Sequence, residues 1–140
     1  MMDASIAVES RETYGITSDA DVVRVRQSAR ALAVTAKLSL VDQTKLVTAV
    51  SELARNTLVY GGGGSVSVEV VTAGARRGVR AAFADTGPGI ADVSLALTDG
   101  WTSGTGLGLG LPGCKRLVDD FDLRSSPGAG TTVRVVKWTR

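Results

Sequence analysis

The chain has 140 residues, of which 44% are hydrophobic, and its formal net charge is +2. This length predicts one domain, residues 1–140, that buries about two thirds of its unfolded surface in a single core. The small charge and the scattered basic residues exclude a typical nucleic-acid-binding surface, and no apolar stretch approaches the roughly 18 residues of a membrane span. The single cysteine, Cys114, and the polar N-terminus predict a cytoplasmic protein with neither nucleic acid nor membrane as partner.

The first part of the chain predicts one strand and two helices. Alternating apolar residues indicate the strand, and apolar stripes at helical spacing indicate the helices. The predicted elements are an edge strand over 5–9, a helix that follows Ser18 and Asp19 and ends near Ala36, and a second helix that Asp42 caps and the glycine run 61–64 ends.

The rest of the chain predicts two strand pairs around one more helix. These elements are strands over 65–72 and 78–85 joined by the turn 73–77, a helix to about Phe121, and strands over 122–126 and 131–137 around the turn 127–130. No regular period survives between Ile90 and Thr105. The order of elements predicts an α+β fold, a two-layer sandwich in which a mixed, mostly antiparallel sheet packs on helices.

A glycine-rich stretch between Thr102 and Gly113 precedes an amphipathic segment. Glycine lets backbone N–H groups approach an anion, and the start of a helix offers unpaired donors. The stretch therefore indicates a phosphate-binding loop that opens a helix, although a flexible loop has the same composition. It lacks the lysine of a P-loop, and its regular spacing differs from a Rossmann motif. Its glycines are Gly104, Gly106, Gly108, Gly110 and Gly113.

Glu52 and Asn56 lie four residues apart on the second predicted helix, so their side chains share one face. One interpretation is a solvated polar face, because charged residues are mostly exposed. The other is a carboxylate that accepts a proton beside an amide oxygen that binds a hard cation such as Mg²⁺. The pair by itself leaves both interpretations open.

Asp85 ends a predicted strand and precedes the turn Gly87-Pro88-Gly89. An aspartate in this position often hydrogen-bonds its own turn. It could equally accept a hydrogen bond from an exocyclic amine such as that of adenine, with the two glycines leaving room for a flat ring. The segment Gly130-Thr131-Thr132 opens the last predicted strand and by itself is ordinary β-branched strand sequence.

Taken in order, these four clusters resemble the motifs of the GHKL (Bergerat-fold) ATPases, the family of gyrase, Hsp90, MutL and histidine-kinase catalytic domains. The residues similar to its N box and its three glycine boxes are Glu52-x-x-x-Asn56, Asp85-x-Gly87-x-Gly89, Gly104-x-Gly106-x-Gly108-x-Gly110 and Gly130-Thr131-Thr132. Within the family, the chain resembles the small bacterial switch kinases of the RsbT type. The segments that carry this resemblance are 52–56, 85–90, 99–103 and 110–118.

The resemblance implies ATP and Mg²⁺ as cofactors and a role for each motif. It implies that Glu52 is the catalytic general base toward the attacking hydroxyl and that Asn56 holds Mg²⁺ against the triphosphate. It implies that Asp85 binds the adenine amine and that Thr132 supports the adenine side. The glycines expected to flank the base are Gly87 and Gly89, and the residues expected to wrap the phosphates under a mobile lid, 90–105, are Gly104, Thr105, Gly106, Leu107, Gly108 and Gly110.

The chain has no histidine, so it cannot phosphorylate itself as a histidine kinase does. The resemblance therefore implies transfer to another protein, a STAS-domain antagonist in a stressosome partner-switching pathway, after which the released kinase activates a PP2C-type phosphatase. The alternative is a binding module with little kinase activity, in which nucleotide orders the chain for docking on a sigma factor or a phosphatase.

Overall fold

The structure is a computed structural model that describes residues 5–97 and 110–140. Its strands are β1 (Ile6–Ile16), β2 (Gly64–Ala73), β3 (Arg76–Asp85), β4 (Asp120–Ser125) and β5 (Thr131–Trp138). Its helices are α1 (Asp19–Thr35), α2 (Leu40–Val59), α3 (Val93–Ala96) and α4 (Gly110–Leu117). None of the helices in the described ranges is long and apolar enough to cross a membrane.

The strands form one sheet in the order β1-β2-β3-β5-β4, and α1 and α2 pack on one of its faces. This confirms the predicted α+β sandwich. The sheet is antiparallel at all four pairings between described strands, rather than mixed as expected. The core lies between the sheet and the two long helices, and β2 contributes Val66, Val68 and Val70 to it.

β1 is longer than the predicted strand over 5–9. It continues to Ile16, and its residues pair along the whole length of β2. The sequence pattern of β1 is mostly polar, because the strand lies at the edge of the sheet and most of its side chains are exposed. The full length of the strand was therefore not predicted from alternating apolar residues. The hairpin between β2 and β3 is confirmed, with Gly74 at a φ of 62° in its tight turn.

The start of α2 differs from the prediction that Asp42 caps it. Ser39 is the N-cap, and its hydroxyl accepts a hydrogen bond of 3.1 Å from the Asp42 N–H. The Asp42 carboxylate is buried and forms ion pairs of 3.6 Å with Lys137 Nζ and Arg140 Nε. Because serine satisfies the first backbone donors, Asp42 is available to anchor the helix to the end of the sheet.

The helix predicted to run to Phe121 ends earlier, at Leu117. The Asp119 N–H already donates to the Val136 carbonyl at 2.9 Å, and Phe121 pairs with Val135 in the β4 and β5 ladder. The helix therefore ends where the chain begins to pair with β5. The apolar spacing of the sequence does not indicate this pairing.

The outer face of the sheet carries a buried carboxylate between two arginines. Glu69, whose side chain is only 5% exposed, accepts hydrogen bonds of 2.7 Å from Arg80 Nε and from Arg11 Nε. Burial raises the pKa of Glu69, but the hydrogen bonds from Arg80 and Arg11 outweigh that effect and hold the pKa below its usual 4.5. These bonds join β1, β2 and β3 across the sheet.

We expect Glu69→Gln to lower the free energy of unfolding by about 1–3 kcal/mol at neutral pH, because it leaves two arginines without their carboxylate. A depressed pKa contributes stability above the unfolded value, and this contribution is lost as the pH falls through the folded value. The difference between wild type and variant should therefore shrink below pH 4.5 in urea unfolding measured along an acid titration.

The matched control is Glu9→Gln, which removes an exposed ion pair with Arg77. Exposed pairs contribute little, so this change should leave unfolding nearly unaltered. Equal losses in the two variants would show that the Glu69 network does not stabilise the sheet.

Candidate functional site

A cavity of about 470 Å³ opens between the C-terminal end of α2, the end of β3 and the start of β5. This volume lies in the range of about 300–1,000 Å³ that is usual for small-molecule sites. Most of its wall is apolar, and a few polar groups converge on it. The apolar side chains include Leu53, Phe83, Ile90, Leu95, Leu111 and Val133, and the polar ones include Asn56, Thr57, Asp85, Asp92 and Thr131.

Asp85 lies at the end of β3, opposite Thr131 of β5 and Gly64 of β2. Its Oδ1 atom accepts a hydrogen bond of 2.9 Å from the Gly87 N–H, as expected for a turn aspartate. A Cβ atom at Gly61 would lie 2.5 Å from the Asp85 Cγ atom, so the absence of a side chain there leaves room for the carboxylate. Asp85 is therefore a turn residue that also lines the cavity, and its role as acceptor for an amine stays a prediction.

Two turns meet at the rim of the cavity through backbone atoms. Gly89 and Gly130 both have a φ of 78°, which other residues rarely adopt. A Cβ atom at Gly89 would overlap the Ser126 carbonyl oxygen, and one at Gly130 would overlap that of Asp85. The Gly128 N–H also donates to the Pro88 carbonyl at 2.8 Å. The glycine positions are thus set by the contact between the turns.

Ser125 is a site residue that the sequence motifs missed. Its hydroxyl donates to the Gly130 carbonyl at 2.9 Å and accepts from the Ile90 N–H at 2.8 Å. The Thr131 hydroxyl oxygen lies 2.8 Å from the Ser125 hydroxyl oxygen. Because serine has one hydroxyl proton, which goes to Gly130, the Thr131 hydroxyl is the donor in this pair. The lone pairs of Thr131 remain able to accept a hydrogen bond.

Thr131, rather than Thr132, lines the cavity. Successive side chains of a strand point to opposite faces of the sheet, and Thr131 shares the face of Val133. Thr132 is exposed and lies outside the cavity lining. The role that the resemblance implied for Thr132 stays a prediction, and the cavity lining makes Thr131 a second candidate for it.

The two N-box residues occupy successive turns of α2. Asn56 lines the cavity, whereas Glu52 is half-buried one turn earlier and is not part of the cavity lining. Burial raises the pKa of Cys114 in α4 to about 12, and the charge of Glu52 adds to this shift. Glu52 therefore lies beside α4, and the Cys114 thiol stays protonated at neutral pH.

The glycine boxes are placed only in part. Gly89 and Gly110 line the cavity, and Gly110 begins α4 with a φ of 73°. Gly87 packs on the backbone of Gly61 and is not part of the lining. The other residues of the predicted phosphate loop, Gly104, Thr105, Gly106, Leu107 and Gly108, lie outside the described part of the chain. The second half of the predicted lid, from residue 98 to 105, also lies outside it.

Comparison with known proteins defines the class. Residues 41–139 match the family described as histidine kinase-, DNA gyrase B- and HSP90-like ATPases, and the chain belongs to this family. The chain is 42% identical over 125 residues to the serine/threonine-protein kinase RsbT of Bacillus subtilis (strain 168), a match that covers 89% of this chain and 94% of RsbT. It is accordingly a protein serine/threonine kinase of the RsbT type.

A solved structure supports the fold. The crystal structure of the RsbU and RsbW domains of a Mycobacterium tuberculosis protein superposes with a TM-score of 0.63 at 20% identity. The match covers 91% of this chain and 31% of that one, so this chain spans about a third of its length. At this identity the likeness concerns the fold alone.

Family membership implies ATP as the nucleotide, and the cavity residues fit it. The apolar walls suit a flat base, while Asp85 and Thr131 offer acceptors for an amine. Among the described residues no group of three or more histidine, cysteine, aspartate or glutamate side chains could hold a metal. The amide oxygen of Asn56 at the cavity wall is of the ligand type that Mg²⁺ takes together with phosphate oxygens.

We expect Asp85→Asn to weaken ATP binding by about 1.5–3 kcal/mol, because it removes a charged acceptor for the adenine amine. Calorimetric titration measures the loss, and thermal unfolding shows whether the variant remains folded. A folded variant with the affinity of wild type would exclude Asp85 from base recognition.

Thr131→Val and Thr132→Val form a pair that tests the placement of the third glycine box. Thr131→Val should cost about 0.5–1.5 kcal/mol of ATP affinity, because a hydroxyl is lost from the cavity. Thr132→Val should leave the affinity unchanged, because its side chain is exposed outside the cavity. The opposite ranking would show that Thr132 contacts the nucleotide.

Proposed function

We propose that the chain is a cytoplasmic, Mg²⁺-ATP-dependent kinase that phosphorylates a serine or threonine of a STAS-domain antagonist. Once released from this substrate, it activates a PP2C-type phosphatase in a partner-switching pathway. The observation that carries the proposal is the arrangement of Asp85, Thr131 and Asn56 around one cavity in a chain similar to RsbT along most of its length.

Asp85 and Thr131 bind and orient the base. The carboxylate of Asp85 is held by the Gly87 N–H, and the Thr131 hydroxyl by Ser125, so neither group must be ordered when the nucleotide arrives. The apolar side chains of Phe83 and Val133 exclude water from this end of the cavity. Rigid groups of this kind reduce the entropy lost on binding.

Asn56 would hold Mg²⁺ through its amide oxygen, together with the phosphates of the nucleotide. When bound, the ion supplies positive charge that offsets the charge developing on the transferred phosphoryl group. Asn56 lies one turn of α2 after Glu52, so the metal-binding side chain and the proposed base follow each other along the helix.

Glu52 would accept the proton of the substrate hydroxyl. The oxygen of that hydroxyl would attack the γ-phosphorus, and the bond between the γ-phosphorus and the oxygen that bridges it to the β-phosphate would break. A positioned general base typically contributes 10²–10⁴ in rate. Glu52 is half-buried and lies outside the described cavity lining, which suits a group that meets the hydroxyl of an incoming protein rather than the base of the nucleotide.

Phosphorylation would release the kinase from its substrate. A phosphoryl group adds about −1.5 to −2 charges, which weakens a docked surface through repulsion and desolvation. The direct test is incubation with labelled ATP, Mg²⁺ and a purified STAS-domain protein encoded beside this chain. Label should appear on the STAS protein, and its absence at saturating ATP would favour a nucleotide-dependent binding module instead.

Two variants separate binding from transfer. Glu52→Gln should bind ATP as wild type does but transfer label about 10²–10⁴ times more slowly, because the base is lost. Asn56→Ala should weaken ATP binding in the presence of Mg²⁺ and have a much smaller effect in EDTA. Glu9→Gln, an exposed change on β1, is the control for transfer. Transfer by Glu52→Gln at the wild-type rate would show that Glu52 is not the base.

A further inference from the structure

An exposed apolar and basic surface lies at the turn between α1 and α2. Its apolar residues are Val34, Leu40 and Val41, which are 58%, 70% and 63% exposed and are the three most exposed large hydrophobic residues of the described chain. They fall within eight consecutive residues, at the last turn of α1 and the first turn of α2. Such clustering is unusual on a monomer and marks interaction surfaces.

The exposed charged residues of segment 30–45 are all cations. Arg30 precedes Val34 by four residues, and Lys45 follows Val41 by four, so each cation shares a helix face with an exposed aliphatic residue. Lys37 lies in the turn between the helices, at a φ of 66°. These six residues, Arg30, Val34, Lys37, Leu40, Val41 and Lys45, are called the junction surface below.

Acidic residues are scarce in the sequence around the junction surface. Between residues 22 and 51 the sequence contains a single acidic residue, Asp42, which is buried and pairs with Lys137 and Arg140. Arg30, Lys37 and Lys45 form no ion pair with any residue in the described ranges. By contrast, three arginines of the sheet, Arg11, Arg77 and Arg80, each pair with a glutamate.

We propose that the junction surface docks an acidic amphipathic helix of a partner protein. Apolar side chains on one face of such a helix would cover Leu40 and Val41, and carboxylates on its flanks would meet the three cations. Leu40 and Val41 gain little burial from their own chain, so a partner would supply it. The proposal does not depend on the identity of the phosphate acceptor.

The position on α2 separates this site from the ATP cavity. Val41 and Asn56 are 15 positions apart on one helix, which corresponds to about 22 Å at a rise of 1.5 Å per residue. A partner helix at the junction surface would therefore leave the cavity open. Docking and nucleotide binding can then be altered independently by mutation.

Two other occupants fit less well. An anionic membrane is disfavoured because the junction surface has no aromatic residue and only three cations, each contributing about 1 kcal/mol. A second copy of the chain is disfavoured because its own acidic segment is engaged, Asp119 with Arg140, Asp120 with Trp138 and Asp122 with Arg124. Such a contact would also join unlike surfaces, which produces rings or open filaments rather than the common twofold dimer.

The test uses a fluorescent peptide helix with leucines along one face and glutamates on its flanks, and a second peptide in which lysines replace the glutamates. Fluorescence anisotropy with the full chain should show binding of the acidic peptide only, weakening as salt increases. The combined variant Arg30→Glu, Lys37→Glu, Lys45→Glu should bind it at least about tenfold more weakly, because three attractions become repulsions. Leu40→Ser with Val41→Ser should also weaken it about tenfold.

The control is Arg134→Glu, which reverses an exposed cation on β5 that forms no ion pair with a described residue. It should bind the acidic peptide as wild type does, and all variants should keep their affinity for ATP. In amide NMR spectra the peptide should shift residues 34–45 and leave 56–61 unchanged.

Several results would overturn the proposal. They are failure of the acidic peptide to bind wild type, equal losses in the triple variant and Arg134→Glu, and shifts that map elsewhere on the chain. Binding of phosphatidylserine vesicles with the same dependence on Arg30, Lys37 and Lys45 would assign the surface to a membrane. Concentration-dependent assembly lost in the triple variant would assign it to a second copy.

Discussion

The backbone contact between the turn that follows β3 and the turn that precedes β5 is the constraint on which the site depends. Gly89 and Gly130 allow it, since a Cβ atom at either would overlap a carbonyl oxygen of the facing segment. The contact places Asp85 opposite Thr131, and Ser125 ties Thr131 to the rim at Ile90. The two acceptors that we propose for the adenine amine are thus held in place by the sheet before any nucleotide is present. This rigidity suits a site whose task is orientation.

Helix α2 connects this site with the rest of the molecule, and β5 runs beside it in the opposite sense. At one end, Thr131 of β5 and Asn56 of α2 line the same cavity. At the other end, the buried ion pair between Asp42 and Lys137 joins the start of α2 to the end of β5. The helix that presents the proposed base, Glu52, is therefore joined to the sheet at its start by this ion pair. A partner at the junction surface would contact the same helix on its exposed side, away from the chemistry.

The predictable parts of the fold are those whose signals are local. The β2 and β3 hairpin, the cap of α1 at Ser18 and the end of α2 before the glycine run all follow from short sequence patterns, and the structure contains them. The errors arise where a contact distant in sequence decides. β1 is long because it pairs with β2 along its length. α4 ends because the Asp119 N–H donates to the Val136 carbonyl of β5. In each case hydrogen bonds to another strand replace the local preference.

The same division applies to the site. The sequence by itself determined the family, because four motifs occur in order, and it determined that Asp85 and Asn56 are candidates for one nucleotide site. Only the tertiary structure decided that Thr131 and not Thr132 points into the cavity, that Gly87 serves backbone packing, and that Ser125 completes the rim. The physical reason is that a sequence motif identifies residue types and their spacing but not the direction in which each side chain points. Which way a strand side chain points is decided by which face of the sheet the helices cover.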